Sequence, residues 1–538
     1  MKSSIIASVL VFAISLADAF PGYSTKNHPR PNKYAPRKLT LLHTNDIHTH
    51  FNEFNSGGVD CTAKNRADNK CYGGVARIKS VVDSYRNRSS NVVLFDAGDQ
   101  FQGTLYFNTY GGAASSEFMN ALKYDAMALG NHEFDLGLTA LSDFVKSLNF
   151  PVLSSNIDFK TAPILKKAGV KPYIVLHKYS LGIIGFITNT TSDITLGGKN
   201  ITFYNPSGPV QQYVKELRSY GIKRIICVSH NGYNEDMYLA SNTYGVDLIV
   251  GGHSHSLLLK NTSLPQVQGP YPTSVTNKEG KTTWIVQAHR YGDYLGHLEL
   301  EWDKHDNMLP PRGDPILLDQ NVTQHTATQN RVVELSQAFA NLTQKIVGFA
   351  TDDFPVGPCF NGECAIGDLL ADCMLEPELV NGAQIAMTNT GGIRASFQKG
   401  NISYADVVTM LPFGNVVVSF LYTGAQLKAL FENAAAMHNQ LTNKPVLTVP
   451  QWAGIQFAFD ATLPEGQKVT SATVGGKPLD LTATYKILTN DFVAGGGDNI
   501  MPAVKFTPGN VMADVFAACL SRRGPLVPTT NNRFPKLR

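Results

Sequence analysis

Residues 126–135 read AMALGNHEFD. An apolar run of strand length is followed by a glycine, an amide, an imidazole and, three residues further on, a carboxylate. Glycine lets the chain turn tightly at the end of the run. Groups with free lone pairs are therefore delivered at the carboxyl end of a strand, where open α/β sheets place their ligands. The same pattern recurs along the first half of the chain. LTLLHTNDIH (39–48) ends in Asp46 and His48, and VVLFDAGD (92–99) ends in Asp99. RIICVSH (224–230) ends in His230, and DLIVGGHSH (247–255) ends in His253 and His255. The strands are expected at 39–43, 92–95, 126–129, 225–228 and 248–250. Amphipathic helical patterns at 75–85, 115–122, 139–148 and 210–220 alternate with them, which predicts an α/β domain.

Five strand ends that carry Asp, His and Asn to one sheet edge suit a metal site. A carboxylate such as Asp99 can bridge two cations, and imidazole with carboxylate suits zinc, manganese or a similar divalent ion. Two such cations polarise a phosphoryl group and make hydroxide available at neutral pH. A single histidine behind a strand is most often a core or surface residue. Five motifs in order, each behind an apolar run, are not explained that way.

At 538 residues the chain is too long for one ordinary core and suits two domains. Residues 303–325 are poor in apolar residues and rich in Pro, Asp and Asn, and a helical pattern follows at 329–347. The reading is a first domain at 38–310, a linker with a linker helix at 311–348, and a second domain at 349–538. The second domain offers NTGGIRASF with Asn389 and Arg394, LPFGN with Phe413, and NDFVAGGGDN with Phe492 and Asp498. A nucleotide needs a cation for phosphate, flat apolar faces for its base and a carboxylate for its ribose hydroxyls.

The formal net charge of +3 gives no reason to expect a nucleic acid polymer as partner. Lys2, the apolar IIASVLVFAISL and the small-x-small Ala17-Asp18-Ala19 read as a signal peptide over 1–19, followed by a loose Pro-rich arm over 20–37. The C-terminal SRRGPLVPTTNNRFPKLR has no hydrophobic tail, so a secreted, extracellular product without a membrane anchor is expected. Sequons begin at Asn87, Asn189, Asn200, Asn261, Asn321, Asn341 and Asn401. Cys61 with Cys71 and Cys359 with Cys364 are expected as disulfides, and Cys227, inside an apolar run, as a buried thiol. Spacing leaves Cys373 and Cys519 open.

NDIH, GDQFQGT, GNHEFD, SHNGY and GGHSHS together resemble the metallophosphoesterase motifs of the 5′-nucleotidase/apyrase family, and the resemblance covers essentially the whole mature chain. It implies a metallophosphoesterase sandwich of sheets and helices, joined by a linker helix to a C-terminal α/β nucleotide-binding domain. It further implies that Asp46, His48, Asp99 and His255 hold one metal, and Asp99, Asn131, His230 and His253 the other. At His255 the family often carries an amide. The native ion is left open between zinc, manganese, magnesium and calcium. His132 would stabilise charge on the phosphoryl group with Asp135 orienting it. Phe413 and Phe492 would sandwich the base, Asp498 hold the ribose, and Asn389 and Arg394 contact the nucleotide.

The chain departs from the family pattern in the CxxxxC loop, CFNGECAIGD, where many members have Arg at Phe360 and Asn at Asp368. It departs again at Thr390, where Gly is usual. Absence of an anchor and loss of that cation favour an apyrase acting on extracellular ATP and ADP, similar to the secreted salivary enzymes of blood-feeding arthropods, in which removal of ADP blocks platelet activation. The alternative is a 5′-nucleotidase that makes adenosine from AMP. A third reading, from a different class, is an integrin-binding platelet antagonist acting through Arg312-Gly313-Asp314.

Overall fold

The computed structural model describes residues 30–195 and 197–535. The expected signal peptide and the start of the Pro-rich arm lie outside the described residues. The rest of the arm runs along the first domain: Ser180 Oγ accepts the Asn32 N–H at 2.5 Å, and Arg224 Nη1 donates to the Pro36 carbonyl at 2.7 Å.

Alternation along the early strands builds a sandwich. In Lys38–Thr44, Leu39 and Leu41 face one core while Leu42 faces another; in Val92–Asp96, Val93 and Phe95 oppose Leu94 in the same way. Such strands need apolar cover on both sides. On one side it comes from the helices Val75–Arg88, Gly112–Leu122 and Gly137–Ser147, through residues such as Ile78, Phe118 and Leu141. On the other it comes from a second sheet, with Ile183, Ile226 and Val228 in the shared core. The outer face of that second sheet is covered by Ser207–Ser219.

The first sheet runs in spatial order Arg312–Gly313, Tyr294–Glu301, Lys38–Thr44, Val92–Asp96, Ala126–Ala128, Val152–Leu153. Its last four strands are parallel. The second runs Tyr173–Leu176, Leu181–Ile187, Arg224–His230, Leu248–Val250, Thr282–Val286, Thr273–Thr276, with a parallel centre. Parallel strands carry their carboxyl ends to one edge, and in both sheets that edge holds the polar motifs.

The segment read as linker does more than connect. Arg312–Gly313 and Ile316–Leu317 pair with Tyr294–Glu301, and Asp314 Oδ1 accepts the Lys260 N–H at 3.1 Å. The Arg-Gly-Asp tripeptide thus lies along a sheet edge and not at a free loop tip. The helical stretch expected over 329–347 runs as Thr326–Ser336, a 3₁₀ turn at Gln337–Phe339 and Ala340–Gln344, before a strand begins at Ile346. It is fastened to the first domain. Tyr106 and Tyr110 hydroxyls donate to the Val332 and Leu335 carbonyls, and Val332 and Leu335 enter the same core as Phe118.

The second domain is built on a mixed sheet ordered Pro450–Ala453, Ala383–Asn389, Thr484–Asn490, Val416–Thr423, Thr507–Val511. Helices Ala365–Leu375 and Met512–Arg522 bury one face and Gly424–Ala436 the other. Cys61–Cys71 and Cys359–Cys364 are bonded as expected, and Cys227 is a buried free thiol. Cys373–Cys519 is a third disulfide, closing 146 residues and tying the two helices of one face together. No described helix is long and apolar enough to cross a membrane.

Candidate metal centre and nucleotide cleft

At the carboxyl edge of the sandwich the chain leaves three of the five motif strands through backbone that side chains rarely adopt. Asp46, His48, Asp99, His253 and His255 have φ of 52°, 49°, 59°, 74° and 52°. Such left-handed non-glycine residues persist only where surroundings over-determine them, and they cluster at functional sites. The surroundings here are hydrogen bonds. The Gly98 carbonyl accepts the Asp46 N–H at 2.9 Å, and the Asp99 carbonyl accepts the His48 N–H at 3.0 Å. Both Asp46 oxygens accept the His253 N–H, at 3.1 and 3.0 Å. Gly98, at φ 90°, and Gly130 are required by close approach. A Cβ at the first would press on Gly130 and His230, and one at the second would collide with Asp99.

The result is two adjoining sets of ligand atoms. Asp46, His48 and His255 form one and Asp99, His230 and His253 the other, each set lying within 4.8 Å. Asp99 Oδ2 stands between them, 3.0 Å from His230 Nε2 and 3.7 Å from His48 Nε2. Asn131 Oδ1 joins the second set at 3.1 Å from His230 Nε2. Second-sphere bonds fix the imidazoles. The Phe101 carbonyl accepts His48 Nδ1–H at 2.9 Å and the Ala97 carbonyl accepts His230 Nδ1–H at 2.6 Å, which leaves both Nε2 atoms facing the centre. Burial holds His48 and His255 well below the ordinary imidazole range and lowers His253 to about 4, so these three are neutral, the ligating form. Burial would push the Asp99 carboxyl up, but His230 and His132 outweigh it and hold it far below the usual range. Burial disfavours charge on His230, yet Asp99 and Asp46 prevail and raise its pKa to about 10, so a cation would displace its proton. Carboxylates and imidazoles in two sets on either side of Asp99 Oδ2 fit two divalent cations.

Beside the centre, His132 Nδ1–H donates to Asp135 Oδ2 at 2.8 Å, and its Nε2 lies 4.0 Å from Asp99 Oδ2. Burial disfavours a charged imidazole here, yet Asp135 and Asp99 prevail and raise its pKa. Glu133 carries no signal of its own in the sequence although it sits inside the motif. Its carboxylate accepts four backbone N–H groups, from Asp99, Gln100, Phe101 and Gly130, at 2.7–3.1 Å. It locks the Asp99 loop to the Asn131 loop.

The second domain closes over this edge. A cavity of about 400 Å³ is lined on one side by Asn131, His132, Asp135 and His253 and on the other by Asn389, Arg394, Phe413, Phe492 and Asp498. Every residue assigned in sequence to the metals, the phosphoryl group or the nucleotide therefore belongs either to the two ligand sets or to this cleft. Arg394 reaches across: its Nη2 is 3.5 Å from His48 Nε2, its carbonyl accepts the Tyr291 hydroxyl at 2.9 Å, and its guanidinium lies 5.9 Å from the Phe413 ring centre. The Phe413 ring is 5.3 Å from His132. Asp498 Oδ2 accepts from Asn389 Nδ2 at 2.7 Å, and burial lifts its pKa to about 6. The cleft also contains residues no motif signalled, among them Phe107, Thr190, Leu447 and Thr448.

The three departures from the family pattern belong to one module. Phe360 lines the cleft and is 45% exposed. Thr390 Oγ1 donates to the carbonyls of Val449 at 2.7 Å and Cys359 at 3.1 Å, pinning the disulfide loop that presents Phe360. Asp368, on the helix behind that loop, accepts the Asn531 N–H at 3.1 Å and lies 3.5 Å from Arg533, so it anchors the C-terminal segment.

The geometry defines a metallophosphoesterase, and comparison with known proteins agrees. Residues 39–257 match the calcineurin-like phosphoesterase model and residues 346–505 the 5′-nucleotidase C-terminal domain. The chain is 32% identical to a 5′-nucleotidase of Diplobatis ommata, covering 93% of this chain and 90% of that one. It is 31% identical to a snake venom 5′-nucleotidase of Naja atra, covering 92% and 98%. The crystal structure of a 5′-nucleotidase precursor from Thermus thermophilus superposes with a TM-score of 0.83 at 36% identity, covering 92% of this chain and 99% of that one. The chain belongs to the 5′-nucleotidase family and is a nucleotide phosphohydrolase whose fold implies divalent metal ions.

Proposed function

We propose that the protein is a secreted apyrase, which removes the terminal phosphates of extracellular ATP and ADP and stops at AMP. The observation that carries this reading is the Phe360 ring in the cleft wall. Among the described residues lining the cavity, Arg394 is the one arginine or lysine. A phosphate chain held by one guanidinium and the metal centre lacks the second cation that many relatives place at position 360. That loss weighs most on a monophosphate, which has a single phosphate with which to bridge the nucleoside subsite and the centre.

Two divalent cations, held by Asp46, His48 and His255 and by Asp99, Asn131, His230 and His253, would supply Lewis acidity to the phosphoryl group and a means of deprotonating water at neutral pH. The chain does the rest. His132, oriented by Asp135, directs Nε2–H towards charge developing on the phosphoryl oxygens. Phe413 and Phe492 hold the base, Asp498 accepts from ribose hydroxyls, and Asn389 and Arg394 fix the phosphate chain. The donor set suits zinc, with manganese, magnesium or calcium as the other candidates.

The second reading is hydrolysis of AMP to adenosine. It is favoured by relatives that carry the name 5′-nucleotidase over nearly the whole chain. Phosphate release from ATP, ADP and AMP, each supplied separately with added divalent ions, decides between the two. Release from ATP and ADP alone supports the apyrase, and release from AMP overturns it.

A further inference from the structure

The second domain holds a cavity of about 380 Å³ between the helix Met512–Arg522 and the strands Thr484–Asn490, Val416–Thr423 and Thr507–Val511. It shares no lining residue with the nucleotide cleft and is nearly as large. That size lies within the range of ligand pockets, about 300–1,000 Å³.

Strand pairing explains why the space is there. Residues directly opposite each other on antiparallel strands share a face. On one face of the sheet Leu488 stands opposite Ser419, and Lys486 stands opposite Leu421. Leu488 is buried in the core formed with Ala365–Leu375 and Met512–Arg522, whereas Leu421 is 66% exposed. The two helices therefore cover one end of that face and leave the other open, and the cavity forms where their cover stops. Its helical walls are fixed. Met374 and Ala518 line it, and their chain neighbours Cys373 and Cys519 are bonded to each other. The spacing of the helices is thus set before a ligand arrives, which lowers the cost of binding.

The lining selects the ligand. Met374, Val417, Leu488 and Val515 make it aliphatic, and the described lining residues include no aromatic ring on which a base could stack. The same residues include two cations, Lys486 and Arg522, and no carboxylate. Lys486 Nζ donates to the Asn381 carbonyl at 3.1 Å. Among the described residues neither cation has an ion pair, and the Arg522 guanidinium has no hydrogen bond. An aliphatic floor beside two unneutralised cations is complementary to a hydrocarbon chain with an anionic head.

We propose that this cavity binds a single-chain aliphatic amphiphile, with its chain over Met374, Val417 and Leu488 and its carboxylate or phosphate head on Lys486 and Arg522. This is a binding activity separate from hydrolysis, and it uses neither the metal centre nor the nucleotide loops.

The test is calorimetric titration of the full-length protein with dodecanoate, dodecyl phosphate and dodecyltrimethylammonium, each below its micelle concentration. At least one of the two anions is expected to bind saturably, and the cation is not. Binding of dodecanoate alone assigns the head as a carboxylate, binding of dodecyl phosphate alone assigns it as a phosphate, and binding of both shows a site that accepts either. The double variant Lys486→Gln, Arg522→Gln is expected to bind about 10-fold more weakly. Ala518→Phe, which brings a ring into the cavity from an exposed helix position, is expected to abolish binding at an unchanged Tm. Each variant serves if the other does not fold. Failure of the wild type to bind either anion overturns the proposal. Equal affinity for the cationic amphiphile does so too, as does unchanged affinity in either folded variant.

Discussion

Asp99 and Phe492 stand on opposite walls of one cleft and are held by different means. Asp99 has a strained backbone at φ 59°. Its N–H is bound by Glu133, its carbonyl by the His48 N–H, and its Oδ1 by the His132 N–H at 2.9 Å. Phe492 is half-buried on the short helix Asp491–Ala494 and is placed by packing, above all against Gly497, where a Cβ would run into its ring. One wall is fixed by directional bonds among buried polar groups, which fail together when one is lost. The other is fixed by shape and apolar contact, which weaken by degrees. Change on the metal wall should therefore be severe, and change on the nucleotide wall graded.

The strongest test of that contrast is Asp99→Ala. It removes the oxygen standing between both ligand sets, and it should bring hydrolysis to the detection limit and empty both sites in metal analysis; near-normal turnover would refute the assignment. His132→Ala should come next, lowering kcat by about 10²–10³-fold as expected for a positioned charge stabiliser. Metal content should stay near wild type, and a parallel loss of metal would recast His132 as a ligand. Glu133→Ala leaves four buried N–H groups without their acceptor. A stability loss of about 3 kcal/mol in denaturant titration and a roughly 10–100-fold drop in metal affinity are expected. Wild-type values for both would show that the loops hold without it.

On the opposite wall the effects should be smaller. Phe492→Ala should raise KM about 10-fold with kcat little changed, because stacking of about 1–3 kcal/mol serves ground and transition states alike. A fall in kcat instead would place the ring in the chemistry. Phe360→Arg should be mildest, raising kcat/KM for AMP relative to ADP by about fivefold, the scale of one partly exposed charge contact. No change in that ratio would remove Phe360 as the source of substrate preference.

The metal wall is the more legible in sequence, and the physical reason is local. Each ligand follows its strand by a few residues, so the apolar run and the polar group appear together, as in RIICVSH with His230. Asn389, Arg394, Phe413, Phe492 and Asp498 come from three separated loops. A phenylalanine in a loop looks the same whether it lines a cleft or fills a core, and family resemblance is needed to choose. Glu133 escapes notice because three of its four donors lie on another loop, up to 34 residues away. Lys486 and Arg522 escape because nothing in TYKILTN or CLSRRGP separates a cavity wall from an ordinary surface.

Hydrophobic period and the order of motifs were enough to predict an α/β first domain, a second unit after the linker and a set of metal-binding residue types, since these depend on neighbours in the chain. The expected boundary at 349 falls inside the strand Ile346–Ala350, which pairs with Gly400–Ser403. Tertiary structure alone decided that two sheets pack face to face, that Cys373 pairs with Cys519, and that Arg312–Gly313 forms a sheet edge. It alone decided that Thr390 pins the loop presenting Phe360 and that a second cavity lies between Met512–Arg522 and the sheet beneath it. Each of these depends on groups far apart in sequence meeting in space, where burial and hydrogen bonding, not local propensity, set the energy.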